Sequence, residues 1–203
     1  MIGIVDYGLG NIRAFLNIYK NLNIPATTIR TADELVDADR IILPGVGSFD
    51  WAMNRLNASG MRDTLDEVVL SKKRPALGVC VGMQILARRS EEGQLPGLGW
   101  IPAEVKRFDE SGFTQKTHLP HMGWNDAAPR TVDSLFRNME NPRFYFLHSY
   151  YFLPENGEHI LATTDYNGEF ACAIRAGHVF GTQFHPEKSH QWGIQLLSNF
   201  AEI

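Results

Sequence analysis

The chain has 203 residues, 44% of them hydrophobic and 21% charged, which is enough to bury a substantial core and too apolar for wholesale disorder. A net charge of −4 leaves no electrostatic footprint for nucleic acid or an anionic membrane, and no apolar stretch approaches the roughly 20 residues that cross a bilayer. The opening MIGIVDYG reaches Asp6 with no cationic segment before it, unlike a secretory signal, so a cytoplasmic chain is expected whose two cysteines, Cys80 and Cys172, act as thiols rather than as a disulfide.

Along the chain, IGIV reads as a buried strand, and Ile12, Phe15, Leu16 and Tyr19 then recur at helical spacing as far as Pro25. ATTIR is a β-branched strand, and Thr31 with Glu34 predicts a capping box opening a short helix. RIILPG is the next buried strand; Trp51, Leu56, Leu65 and Val68 lie in helical segments broken near Gly60, and Lys72-Lys73-Arg74 reads as a solvated helix end. PALGVC is a further apolar strand running straight into a helical MQILARR. This alternation predicts a parallel sheet covered on both faces. After about Gly93 the texture changes to short β-branched and aromatic runs, AEVKRF, RFYFLHSYYF, HILATT, ACAIR and HVFGTQF. The last two turn at Ala176-Gly177 in a hairpin, and GIQLLSNF forms a final helix. The expected fold is an α/β sandwich, mostly parallel with antiparallel additions in the C-terminal half, and with no linker to mark a boundary it is expected to be one domain over residues 1–203.

Gly78-Val79-Cys80-Val81-Gly82 has the Gly-x-nucleophile-x-Gly spacing of a nucleophile elbow and stands where a strand meets a helix. The glycines have a mechanical reason, since side chains two residues either side of the turn would collide with the neighbouring strand and helix. A thiol there sits at a helix N-terminus, whose free N–H groups favour a thiolate, and the N–H of Val81 can face a developing oxyanion. The same local pattern also fits a buried core cysteine. FHPEKS supplies a partner: His185 closes a predicted strand, and Glu187 two residues on points to the same side in extended chain, as orienting a general base requires. Pro186 holds the pair in register. An exposed loop His and Glu is the alternative for that motif alone.

Other candidates read differently. His118 and His121 flank Pro120 in a loop-like stretch without acidic or cysteine neighbours at ligand spacing, which argues against zinc. His148 reads as a hydrogen-bonded structural histidine in a strand, and Cys172 as core. GLGNIR lacks the third glycine of a dinucleotide fingerprint, because Arg13 stands there, and PGVGSFD has no P-loop lysine. No cofactor or metal is expected. The N–H groups around Val46 and Gly47 suit a second oxyanion donor if their strand neighbours the elbow.

GVCVGMQ with FHPEKS resembles the class I glutamine amidotransferase family, whose glutaminase domain uses a Cys-His-Glu triad on a flavodoxin-like α/β fold. With DYGLGNI, LPGVGSF, SEEG before PGLGW, PHMGWN and FLHSYYF, nearly the whole chain is similar to the glutaminase subunits of imidazole glycerol phosphate synthases. The resemblance implies Cys80 as nucleophile, His185 as base and Glu187 as its orienter, with Val81 and Val46 as oxyanion donors. It implies Gly47, Gln84, Glu92, Ser149 and Tyr150 around an L-glutamine substrate; Gln84 also fits a role in helix polarity, and Tyr150 a place in the core. It also implies a heterodimer with a (β/α)8-barrel cyclase that consumes the ammonia and forms imidazole glycerol phosphate and an aminoimidazole carboxamide nucleotide, with Asn11, Trp124 and Lys188 as contact candidates. Val81 stands where leucine is usual, a mild change because its backbone N–H does the work. His190, Trp192 and the FDWAM segment are similar to a side branch that feeds ammonia to sugar amidation in surface-polysaccharide (O-antigen) synthesis. A non-catalytic regulatory subunit is a third reading, opposed by the intact triad.

Overall fold

A computed structural model describes residues 1–114, 117–131 and 134–203. The first half alternates strand and helix as the periodicities require: β1 (Ile2–Val5), α1 (Ile12–Asn21), β2 (Ala26–Ile29), α2 (Ala32–Val36), β3 (Arg40–Gly45), α3 (Phe49–Ala58), α4 (Arg62–Asp66), β4 (Ala76–Cys80) and α5 (Val81–Gln84). Short strands follow, β5 (Arg89–Ser90), β6 (Ala103–Arg107), β7 (His121–Asp126), β8 (Ala128–Pro129), β9 (Arg143–His148), β10 (Tyr150–Pro154), β11 (Ile160–Asp165), β12 (Glu169–Ala176) and β13 (Val179–Thr182), and α6 (His190–Ala201) closes the described order.

The main sheet runs β2-β1-β3-β4-β13-β12-β10-β6-β5, and its first five strands are parallel. That is the flavodoxin-like order, with β13 in fifth place, so the mostly parallel sandwich expected from the sequence is what forms. Every residue of β1, β4 and β13 is buried, as strands covered on both faces must be. The antiparallel additions begin at the β12–β13 hairpin and continue through β10 and β6, with β11 and β8 branching from β12. Buried apolar side chains from Ile2 to Phe200 form one continuous core.

Local chemistry sets the element ends. Thr31 Oγ1 accepts the Glu34 N–H while the Glu34 carboxylate accepts the Thr31 N–H, the expected capping box. Arg74 departs from a solvated helix end: its Nη1 donates to the carbonyls of Leu35, Val36 and Ala38 and so closes the C-terminus of α2. The MQILARR helix stops after one turn. The N–H groups of Gly97, Leu98, Gly99 and Ile101 take the carbonyls of Arg88, Ile85, Ala87 and Leu86, so the strand-like loop 97–101 claims the acceptors that a longer helix would need. The stretch around His121, read as loop, is strand β7, which pairs with β9 as a separate two-stranded sheet. Its alternation is inverted: Met122 is 65% exposed and Trp124 42%, while His121 faces inward, so the hydrophobic pattern does not mark a strand.

Candidate active site

Three parallel strands end at one edge. Gly45 at the end of β3 lies opposite Cys80 at the end of β4, and Thr182 of β13 lies opposite Val79. The chain after β3 therefore carries Val46 and Gly47, and the chain after β13 carries Gln183 and His185, to the same place as the elbow. Crevices beyond the carboxyl ends of such strands are where sites form in this architecture.

The elbow is strained. Cys80 has φ 56° and ψ −116°, a backbone conformation that costs a non-glycine residue of the order of 1–3 kcal/mol. Close packing around it enforces that conformation. A Cβ on Gly78 would lie 2.5 Å from the Gly82 carbonyl oxygen, one on Gly82 1.9 Å from the Leu43 carbonyl oxygen, and one on Gly45 2.3 Å from the Gly82 nitrogen. Val81 begins α5, so its N–H has no intrahelical partner.

Cys80 is 4% exposed, and its sulfur is surrounded by hydrogen-bonding groups. The Leu147 carbonyl lies 4.0 Å away, the Gln183 side-chain amide donates from 3.9 Å, and the His185 ring is within hydrogen-bonding reach. His185 Nδ1 meets Glu187 Oε1 at 2.8 Å, which leaves Nε2 for the sulfur. Burial alone would depress the His185 pKa, yet the hydrogen bonds and charges of Cys80 and Glu187 outweigh it and raise the ring from 6.5 to about 10. Glu187 is not in extended chain; Pro186–Lys188 is a 3₁₀ turn begun at His185. The turn is anchored by the Ser189 hydroxyl, which donates to the His185 carbonyl at 2.6 Å and accepts the Tyr145 N–H at 3.0 Å. Gly193 lets α6 pass close beneath, for a Cβ there would sit 1.7 Å from the Pro186 oxygen. Glu187 is nearly buried, at 3% side-chain exposure, and its Oε2 has no hydrogen-bond partner among the described residues.

A cavity of about 320 Å³ opens at the sulfur. Val46, Gly47, Cys80, Val81, Gln84, Glu92, Ser149, Tyr150, His185 and Lys188 all line it, together with Pro120, Leu147 and His148. Gln84 is buried and donates from Nε2 to the Tyr150 carbonyl at 3.3 Å and to Gln183 Oε1 at 3.1 Å, so it ties the pocket wall together rather than serving helix polarity. Tyr150 is half-buried, lining the cavity while packing against the edge of the core. Glu92 accepts the Phe49 N–H at 2.9 Å, and burial raises its carboxyl pKa despite that bond.

Two of the three contact candidates meet around Tyr145 at the cavity mouth, where Lys188 also lines the cavity. Trp124 stacks on His190 with ring centroids 5.4 Å apart, and the Lys188 ammonium lies 5.8 Å from the centre of the Tyr145 ring. Asn11 is spent locally: its side chain caps α1 by accepting the Ala14 N–H, although α1 does pack on the Pro186–Lys188 turn.

Sequence reasoning passed over Gln183 and the partners of His148. Gln183 stands two residues before His185, in the bend that follows β13, and that spacing was the available signal. His148 Nδ1 donates to the Tyr150 carbonyl at 2.8 Å, so its Nε2 accepts from His121 Nδ1 at 2.9 Å, and His121 Nε2 accepts from Asn125 at 3.2 Å. Both rings are neutral in this chain of bonds; burial lowers the pKa of His121 to about 4 and of His148 to about 3.

A thiol on a strained elbow, an imidazole oriented by a carboxylate and an adjacent cavity are equipped for nucleophilic attack on an acyl carbon. Among the described residues, no three or more His, Cys, Asp or Glu side chains are placed to hold a metal, and no helix is long and apolar enough to cross a membrane.

Known proteins resemble this chain in both sequence and fold. The chain is 55% identical over 204 residues to "Imidazole glycerol phosphate synthase subunit HisH" of Bdellovibrio bacteriovorus and 52% identical to the protein so named of Leptospira interrogans, each match covering 100% of both chains. It is 44% identical, again over 100% of both chains, to "Imidazole glycerol phosphate synthase subunit HisH 2" of Pseudomonas aeruginosa. Among solved structures, one titled "Crystal structure of glutamine amidotransferase" superposes with a TM-score of 0.76 at 20% identity, covering 100% of this chain and 99% of that one, a likeness of fold. The model of the family "Glutamine amidotransferase class-I" matches residues 4–203, and with full-length relatives above half identity the chain belongs to that family.

Proposed function

We propose that the chain is the glutaminase subunit of imidazole glycerol phosphate synthase, hydrolysing L-glutamine to glutamate and ammonia for histidine biosynthesis in the cytoplasm, and that residues 1–203 act as one domain. The observation that carries the reading is the 2.8 Å His185–Glu187 pair beside Cys80 on its strained elbow, at the wall of the cavity. The His185 imidazolium gives a Cys80 thiolate its counter-ion. The sulfur attacks the side-chain amide carbon of glutamine, and the N–H groups of Val81 and Val46 receive the oxyanion. His185 delivers its proton to the departing nitrogen, and ammonia leaves a thioester on Cys80. The neutral ring then takes a proton from water, whose oxygen attacks the thioester and releases glutamate with the thiolate restored. Glu92, the only carboxylate lining the cavity among the described residues, suits the α-ammonium of the substrate.

Ammonia is protonated once it reaches bulk water, so the acceptor must dock at the cavity mouth. The partner we infer is a (β/α)8-barrel cyclase, seated on the exposed Met122 and Trp124 beside Lys188. Glutamate release by the chain mixed with the histidine-pathway cyclase is expected to rise when that cyclase's nucleotide substrate is added. A folded chain that releases glutamate but ignores the nucleotide would move the acceptor to sugar amidation instead.

A further inference from the structure

Beside the cavity, the N-terminus of α3 and the loop after β5 are joined by two carboxylates that cross in opposite directions. Glu92 of the loop accepts the N–H of Phe49 on α3. Asp50 of α3 accepts the N–H of Gln94, 2.9 and 3.1 Å from its two oxygens, and that of Leu95 at 3.0 Å. Gly93, next to Glu92, leaves room for this carboxylate, because a Cβ there would fall 2.0 Å from Asp50 Oδ1 and displace it. Glu92 lines the cavity; Asp50 stands behind it, half-buried.

We propose that Asp50 is a positioning residue for the substrate pocket, holding the Gly93–Leu95 loop so that the Glu92 carboxylate stays aimed into the cavity. The inference rests on the glutaminase reading. Glu92 lies past the end of β5, on a segment with neither helix nor strand to stiffen it, and among the described residues its hydrogen bonds are its own N–H to Ser90 Oγ and the Phe49 N–H to its carboxylate. Three backbone-to-carboxylate contacts from Asp50 supply the missing rigidity, and bonds to a charged acceptor are the strong kind. Two like charges this close are tolerated because both sit at the N-terminus of α3, where the helix dipole favours anions. A recognition group held in place by a second residue loses affinity when that support is removed, while the reacting atoms are left alone.

The test is steady-state glutamine hydrolysis by the complex with its synthase partner, for wild type, Asp50→Ala, Asp50→Asn, Glu92→Gln and the Asp50→Ala/Glu92→Gln double variant. Asp50→Ala is expected to raise KM for glutamine about tenfold while kcat stays within about threefold, since the loss falls on ground-state binding. Asp50→Asn keeps one acceptor oxygen and is expected to recover most of that loss. In the Glu92→Gln background the Asp50→Ala change is expected to add less than about twofold, because both act through one carboxylate. An unchanged KM in Asp50→Ala, or an equal rise with and without Glu92, would overturn the inference. Should Asp50→Ala fail to fold, Asp50→Asn alone and combined with Glu92→Gln is read by the same criterion. A wild type that releases no glutamate would instead sink the glutaminase reading and this inference with it, whereas failure of the inference alone leaves the wild type active.

Discussion

At Cys80 the backbone and the chemistry pull in opposite directions. With φ at 56° and ψ at −116° the position favours glycine, yet the reaction needs a side chain there. Cys80→Gly is therefore expected to be more stable than Cys80→Ala by about 1–3 kcal/mol, read from urea unfolding midpoints, with both variants inactive. Equal midpoints would mean that the turn carries no strain. Glu187→Gln removes one of the two partners, after Cys80, that keep the His185 ring protonated, while burial goes on favouring the neutral form. In wild type the raised pKa means that the stabilisation from this pair is complete below 6.5 and lost as pH rises through about 10. NMR titration is expected to show the ring still protonated at pH 8 in wild type, and deprotonating at lower pH in Glu187→Gln than in wild type. Turnover of that variant is expected to fall by about 10²–10⁴-fold, the usual scale of general acid–base assistance. An unshifted titration would show that another group orients His185. The Cys80 and His185–Glu187 motifs were readable because each encodes its own geometry: glycines where the chain must pass closely, and a proline between base and orienter. Gln183 was less legible, since its two-residue offset from His185 says nothing of a role until its partners Gln84 and Cys80 are in place.

At the scale of elements, strand, helix and cap were legible wherever local chemistry decided them, as in β1, α1 and the Thr31–Glu34 box. They were obscured where distant groups compete. The segment after Cys80 has good helical periodicity, but its carbonyls are claimed by the 97–101 loop, and Arg74 looked solvated because the α2 carbonyls it caps lie about 35–40 residues earlier in the chain. Strand β7 was hidden by the histidine that it buries. His121 and His148 join β7 to β9 and to Tyr150 only while both rings are neutral. Their folded pKa values, about 4 and about 3, lie below the ordinary 6.5, so the unfolded chain binds more protons in between. Their contribution is complete above 6.5 and lost as pH falls toward 4 and then 3. Replacing His121 by Gln is expected to flatten the dependence of unfolding free energy on pH between 6.5 and 4 by about 1.4 kcal/mol per unit, the value of one proton. Identical slopes in urea titrations of the two proteins would show that His121 is not held neutral.

Over the whole molecule, five parallel strands bring three separate stretches of sequence, 45–47, 80–84 and 183–187, to one edge, and the antiparallel half builds the far wall of the cavity with Leu147 to Tyr150. The same half sets Met122 and Trp124 facing outward, against the usual economy of a strand, next to the cavity-lining Lys188. Exposed aromatic and thioether side chains beside a reaction site are what a docking partner would cover. A parallel order was predictable from alternating strands and helices, whereas the pairing of β7 with β9 was not, because β7 turns His121 inward and Met122 and Trp124 outward even though β9 buries Phe144 and Phe146. The central claim is that Cys80, driven by His185 and Glu187, hydrolyses glutamine in this cavity. Its most direct test is glutamate release from glutamine by wild type and by Cys80→Ala, each folded and each mixed with the barrel cyclase and its nucleotide. Turnover by wild type with only background release from Cys80→Ala is the predicted result; equal release from the two proteins would contradict it.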